Sequence, residues 1–411
     1  MKRIAIFCDG TWNRHDAKTP THVVRLAQAL APEGADGVTQ VAHYLPGVGS
    51  GEGVTWLSRV LDKFMGGAFG WGLDDRILEA YRNLVFSYAP GDEIFIFGFS
   101  RGAYTARSLA GLIRSAGIPP KDHTDRIPEA MEHYRTRDVR RVRRVAGEDG
   151  GRFVVATTDD PLDTLKPYPH PDSAIELDFR ARLSPDTPTS DIDVLWRERE
   201  GLGVQKALKI KYLGVWDTVG ALGLPGVLGA LSKLTNQRYE FHDAKLSRSV
   251  EGARHGVAID ERRRLYPSAP WTNLGFLNGA KEGAEAPYQQ LWFPGNHRIV
   301  GGGGDVPELS AFATKWIAQG AEAADLTFDP VRLEALCGVA DAGADDKGAA
   351  QKPALGNLWG ALLADRELLV KPGETAPQVD QVSAAARARA MQLGWRPKTL
   401  EKVMDALIEL D

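Results

Sequence analysis

Glu93-Ile94-Phe95-Ile96-Phe97-Gly98-Phe99-Ser100-Arg101-Gly102-Ala103-Tyr104-Thr105-Ala106-Arg107 is the stretch on which the reading of this chain turns. The nearly unbroken apolar run Ile94–Phe97 with Phe99 lacks polar alternation, the pattern of a parallel strand buried on both faces. It ends in Gly-Phe-Ser-Arg-Gly and passes into residues that favour helix. A Gly-x-Ser-x-Gly sequence alone recurs by chance, but between a strand and a helix it reads as a nucleophile elbow. In that turn Ser100 occupies a strained corner, and Gly98 and Gly102 let strand and helix pass closely. The first helical turn then directs backbone N–H groups at the reacting centre.

The rest of the composition is compatible with that centre and excludes several alternatives. The 411 residues are 43% hydrophobic and 25% charged, with a net charge of −4, which offers no overall basic field for nucleic acid. Cys8 and Cys337 form neither a metal nor a redox spacing. No H-x-E-x-H sequence occurs, so the reading requires no metal or cofactor, although scattered carboxylates such as Asp9 and Asp260 have ion-binding chemistry. The apolar run at the N-terminus is too short for a signal peptide, and no stretch approaches the roughly eighteen apolar residues of a membrane span. These features predict a soluble, cytoplasmic protein and leave signal-independent export open.

Taken in order, the chain alternates strands and helices. Arg3–Cys8 reads as a first buried strand leading to the polar loop Asp9-Gly10-Thr11-Trp12-Asn13. A helix to about Leu30 and a strand from Thr39 to Leu45 follow. The glycine-rich loop Pro46–Gly53 lacks the Lys-Ser/Thr ending of a phosphate-binding loop. Trp56, Leu57, Val60, Leu61 and Phe64 share one helical face, read as packed on the sheet. Gly66–Gly72 interrupts before a helix from Asp74 to about Tyr88, and the elbow helix runs to about Ala116.

From about residue 118 to 206 the periodicity degrades, with one short helix near Glu129–Tyr134 and a strand at Arg152–Ala156. This region reads as an inserted cap over the site, its run Arg135–Arg144 as a solvated helix face. Regularity returns with the strand Leu208–Trp216 and the loop Asp217-Thr218-Val219-Gly220. Helical pieces are expected at Val227–Leu234 and Asp243–Val250, then strands at His255–Ile259 and Gln290–Phe293, and a helix at Ser310–Ala321. Beyond 325, helical pieces at Leu358–Leu363, Ser383–Leu393 and Leu400–Leu410 form an extension, 326–411, packed on or beside a catalytic unit of 1–325.

A serine hydroxyl needs a general base, which itself needs an orienting group. In an α/β-hydrolase these follow in the order Ser, acid, His, each at the carboxyl end of a separate strand. Ser100, Asp217 and His297 satisfy that order, while the remaining histidines fall in the insertion, in early loops or at element starts. Asp260 is the rival acid, although the neighbouring Arg262–Arg264 would pair with it. The oxyanion hole is expected from the backbone N–H of Arg101 with one from Gly10 or Thr11, and Asp9 from orienting that loop or touching substrate.

Six motifs in order make the chain resemble the bacterial type VI secretion phospholipase-effector catalytic domain. They are Phe7–Asn13, Gly67–Leu73, Gly98–Ala103, Gly214–Gly220, Ala258–Arg263 and Pro294–His297. The resemblance covers about residues 1–325. It implies an α/β-hydrolase-like fold, a mostly parallel central sheet flanked by helices, and a serine hydrolase in which Ser100, Asp217 and His297 take the family's catalytic positions. It also implies acyl-ester substrates, glycerophospholipids among them, with transient contact at a membrane surface. The sequence departs from the family after the histidine, where Ser-Asp-Val/Ile-Gly-Gly-Gly is usual and Arg298-Ile299-Val300-Gly301 stands here. There a cation and an aliphatic residue replace a small polar residue and an acid, a change expected either to depress the pKa of the base or to alter the substrate pocket. Two other readings stay open, an esterase or thioesterase acting on small soluble acyl compounds and a non-catalytic member of the fold.

Overall fold

The computed structural model describes the chain except residues 12, 50–68, 137–140, 146–151, 156–165, 168–170, 204–205, 221–244, 265, 305, 345–362, 371–376 and 410–411. The expected helix around Trp56–Phe64, the piece at Val227–Leu234 and nearly all of Leu358–Leu363 lie outside the described residues.

Six parallel strands form the central sheet: β1 (Arg3–Cys8), β2 (Gln40–Leu45), β3 (Glu93–Phe99), and, after three strands of the insertion, β7 (Ile210–Trp216), β8 (Val250–Ala258) and β9 (Tyr288–Phe293). Their spatial order is β2-β1-β3-β7-β8-β9. The period of two sends alternate residues of β1 and β3 to opposite faces. Ile4, Ile6, Ile94 and Ile96 meet Leu73, Ile77, Tyr81 and Leu84 of the helix Phe69–Ser87 and Leu109, Leu112 and Ile113 of the elbow helix Arg101–Ala116. Ala5, Phe7, Phe95 and Phe97 face Val23 and Leu26 of the helix His22–Ala29 and Ala313, Ile317 and Ala321 of the helix Pro307–Glu322. This is a three-layer α/β fold with the parallel sheet in the middle, and the strand ends carry the loops after β1, β3, β7 and β9 to one rim.

Three local expectations are corrected. The helix expected from Asp74 begins at Phe69, so Gly70 and Gly72 lie within it. Residues expected as helix up to Val250 instead lead into a nine-residue strand, since Val250–Gly256 pairs with β7 and Ala253–Ala258 with β9. The insertion is more regular than its composition suggests. Arg141–Val145 (β4) is a strand, not a helix face, pairing antiparallel with Arg152–Val155 (β5) and Lys166–Pro167 (β6). Helices Ala174–Leu183 and Asp191–Arg199 follow. Asp193, fully buried, receives Arg180 and Arg197, both at 2.9 Å, so charges that look solvated in sequence form an interior ion network.

The described part of the insertion is anchored at the far end of the elbow helix from Ser100. Ser184 Oγ donates to the Ala116 carbonyl, Thr189 Oγ1 to that of Arg114, and Thr187 Oγ1 to that of Ile118. At 1.5 Å per residue this attachment lies about 20 Å along the axis from the elbow.

The C-terminal segment packs on the outer edge of the sheet. Leu368, Val382, Ala386, Ala390, Leu400, Val403 and Leu407 enclose Val257, Ile259 and Trp292, and the Ser383 N–H donates to the Trp292 carbonyl at 3.0 Å.

Candidate active site

The turn after β3 places Ser100 at φ 59°, ψ −122°, a conformation costly for a residue with a Cβ. It persists because its surroundings fix it. The Ser100 N–H donates to the Trp216 carbonyl on the neighbouring strand at 3.0 Å, and the elbow helix begins at the next residue. A Cβ on Gly98 would stand 2.4 Å from the Gly102 carbonyl oxygen, and one on Gly102 would stand 2.1 Å from that of Cys8. Only glycine permits either approach.

His297 opens the short helix His297–Gly301, capped by Asn296, whose side chain accepts from the N–H groups of Arg298 and Ile299. Its Nε2 lies 2.8 Å from Ser100 Oγ and its Nδ1 lies 2.5 Å from Asp217 Oδ2. All three side chains are buried.

The carboxylate of Asp217 accepts on both oxygens. Oδ1 takes the Ala258 N–H at 2.9 Å and Arg366 Nη1 at 2.6 Å, while Oδ2 takes His297 and Arg366 Nη2 at 3.0 Å. Burial alone would raise its pKa, but the Arg366 charge and the His297 hydrogen bond outweigh it and hold the acid well below the usual carboxylate range. An ionised carboxylate can only accept, so His297 Nδ1 must carry the proton and Nε2 must present its lone pair to the serine hydroxyl.

Asp217 itself sits at φ 40°. Its N–H donates to the Gly256 carbonyl at 2.7 Å, and the next N–H, of Thr218, donates to His255 Nε2 at 3.2 Å. Burial, aided by the Arg107 charge, lowers the His255 pKa to about 3, so the ring is a neutral structural acceptor.

Around His297 stand Phe99 and Tyr266, with ring centroids at 4.7 and 4.9 Å. The buried Glu261 accepts the His297 N–H at 3.3 Å and is gripped by Arg263, whose Nη2 lies 2.7 Å away. Burial lowers the His297 pKa, with Arg263 adding to that and Asp217 and Glu261 opposing it. The expected influence of Arg298 is corrected by its position: that side chain is exposed and hydrogen-bonds the Gly303 carbonyl.

Asp260 does not occupy the orienting position. Its Oδ2 accepts the Gly295 N–H at 2.6 Å and so fixes the turn before His297. The adjacent arginines turn elsewhere, Arg263 to Glu261 and Arg262 to Asp365 at 2.8 Å.

The loop after β1 lies against the elbow, where a Cβ on Gly10 would stand 3.1 Å from Ser100 Cβ. Asp9 is buried and organises this loop, accepting from Tyr44 Oη at 2.8 Å, Thr21 Oγ1 at 2.9 Å and the Gly10 N–H at 2.7 Å. Burial nevertheless raises its pKa to about 6. The Gly10 N–H is thereby committed to the Asp9 carboxylate. Among the described residues no group of three His, Cys, Asp or Glu side chains is placed to hold a metal ion, and no helix is long and apolar enough to cross a membrane.

Sequence reasoning passed over Arg366, Glu261 and Tyr266. Arg366 lies in no motif and no periodic element, and nothing in its neighbourhood, Ala364-Asp365-Arg366-Glu367, marks it.

Residues 2–320 match the family described as T6SS, Phospholipase effector Tle1-like, catalytic domain. The chain belongs to that family. That family is described as the catalytic domain of phospholipase effectors of type VI secretion. An uncharacterized protein of Saccharomyces cerevisiae is 25% identical over 286 residues, 67% of this chain, and this chain spans about a third of that relative's length (33%). Among solved structures, an uncharacterized protein from Pseudomonas aeruginosa aligns over 83% of this chain and 49% of its own, at 16% identity and a TM-score of 0.38. The Tle1 effector in its complex with the VgrG spike aligns over 75% and 52%, at 14% identity and a TM-score of 0.33.

Proposed function

We propose that the chain is a serine hydrolase that cleaves the carboxylic esters of phospholipids through an acyl-enzyme on Ser100. The observation that carries this reading is the continuous path from Ser100 Oγ to His297 Nε2, at 2.8 Å, and from His297 Nδ1 to Asp217, at 2.5 Å, on a strained elbow.

In the first step Ser100 Oγ attacks the ester carbonyl carbon while its proton passes to His297 Nε2. The carbonyl oxygen becomes an oxyanion, met by the Arg101 N–H at the head of the elbow helix and the Thr11 N–H from the facing loop. The imidazolium then protonates the leaving alcohol and the acyl group stays on Ser100. Water, deprotonated by the same imidazole, releases the fatty acid and restores the serine. Asp217 holds the tautomer and compensates the imidazolium charge throughout. Membership of a phospholipase effector family supports lipid as the acyl donor and export by the type VI route from the cytoplasm.

The test is a panel running from short nitrophenyl esters to phospholipid vesicles, with a fluorophosphonate probe and Ser100→Ala as control. Labelling of Ser100 is expected in the native protein and none in the variant, with turnover rising when substrate forms an interface. Saturable turnover of short soluble esters with no gain at an interface would assign a soluble esterase instead. Folded protein that the probe does not label would refute catalysis at this site.

A further inference from the structure

The family match ends at residue 320, yet the carboxylate beside His297 is held by a side chain from farther along the chain. Arg366 lies in a segment without helix or strand, and its guanidinium is buried. Nη1 donates to Asp217 Oδ1 at 2.6 Å and to the Ala258 carbonyl at 2.9 Å. Nη2 donates to Asp217 Oδ2 at 3.0 Å and to the Tyr266 carbonyl at 2.8 Å. Two backbone carbonyls therefore fix the plane of the fork, and the fork fixes the plane of the carboxylate. The same carbonyl of Tyr266 belongs to the residue whose ring packs on His297.

We propose that Arg366 is a positioning residue of the Ser100 site, which sets the orientation of Asp217 and balances its charge beside His297, so that the catalytic unit extends past residue 320 into the C-terminal segment. The proposal rests on the serine hydrolase reading given above. The charged groups acting on His297 are Asp217 from the end of β7 and Glu261 and Arg263 from the segment after β8, with Arg366 acting through Asp217, while the phenol ring of Tyr266 packs on the imidazole. Glu261 is matched by Arg263. Without Arg366, the Asp217 charge would act on the imidazole unopposed by its own cation, and the imidazole would hold its proton to higher pH.

The experiment uses the full chain and reads the rate of Ser100 phosphonylation by a fluorophosphonate against pH, for the native protein, Arg366→Gln and Arg366→Lys, with circular dichroism to verify folding. For Arg366→Gln the plateau rate is expected to fall about 100-fold, as for a misplaced catalytic group, and the acid limb to move up by about one pH unit. Arg366→Lys keeps the charge without the fork, so its limb is expected to stay near the native one while its plateau falls about 10-fold. A plateau loss in Arg366→Gln with the limb unmoved would assign Arg366 a merely structural role and overturn the proposal. If Arg366→Gln does not fold, the lysine variant decides, and a native plateau in it overturns the proposal. Native protein that the probe leaves unlabelled refutes the hydrolase reading itself, a distinguishable result.

Discussion

Replacing Asp217 by asparagine changes one atom and inverts the hydrogen-bond logic of the site. The native carboxylate accepts four donors, from the Ala258 N–H, His297 Nδ1 and the two terminal nitrogens of Arg366. An asparagine amide has one oxygen and must turn its NH2 group on one side. If the oxygen faces His297, the NH2 confronts both the Ala258 N–H and Arg366 Nη1, leaving two buried donors without acceptors at about 1–3 kcal/mol each. If the oxygen faces Ala258, the NH2 opposes only Arg366 Nη2 and can donate to His297 Nδ1. The second orientation costs less, and it moves the imidazole proton to Nε2, where the serine hydroxyl needs an acceptor. The expected loss in labelling rate is on the order of 10⁴-fold, about 5.5 kcal/mol in the barrier. Stability falls as well, because the buried guanidinium loses its counter-charge, by about 3–5 kcal/mol. The assay is the second-order rate of Ser100 phosphonylation at pH 7.5, at a denaturant-free concentration where circular dichroism shows the fold intact. A rate for Asp217→Asn within about ten-fold of native would refute the tautomer argument.

Further expectations concern stability. His255 is buried with its pKa lowered to about 3, so below about pH 6.5 the unfolded chain binds a proton that the native one refuses. Its contribution is whole above that pH and lost as pH falls, by roughly 2–3 kcal/mol at pH 4.5. Urea midpoints for native protein and His255→Gln should therefore converge between pH 7.5 and 4.5, and a pH-independent gap would exclude this titration. Asp193→Ala leaves Arg180 and Arg197 buried without their shared carboxylate, at a cost of about 3–5 kcal/mol. Limited proteolysis should then cut within 118–206 sooner while Ser100 labelling is unchanged, and native-like protease resistance would show that the network contributes little.

The parts of this molecule written locally were legible in the sequence. The apolar run before Ser100 has no reading other than a doubly covered strand, and Gly98 and Gly102 announce the close passage that the structure contains. The separate strand ends carrying Asp217 and His297 follow from chain order, and the structure brings both side chains to the Ser100 centre. What escaped depends on burial or on partners that no local pattern marks. Arg180, Arg197 and Asp193 look solvated one by one, because composition cannot show that their charges close on one another in the interior. Val250–Ala258 mixes Glu251, Arg254 and His255 with small residues, and its strand character comes from pairing on both sides rather than from propensity. Arg366 has no local pattern at all, and its place is fixed only by two distant carbonyls and one distant acid.

The grip of Arg263 on Glu261 has a consequence for how the proposed reaction responds to ionic strength. With Asp217 and Arg366 it makes two anions and two cations around an uncharged ring, an electroneutral shell. When the ring takes up the hydroxyl proton and an oxyanion forms beside it, one charge of each sign appears together and the sum stays at zero. Sodium chloride therefore finds little net field to screen in bond-making. Salt sensitivity in turnover measurements would report instead on the encounter between protein and lipid surface.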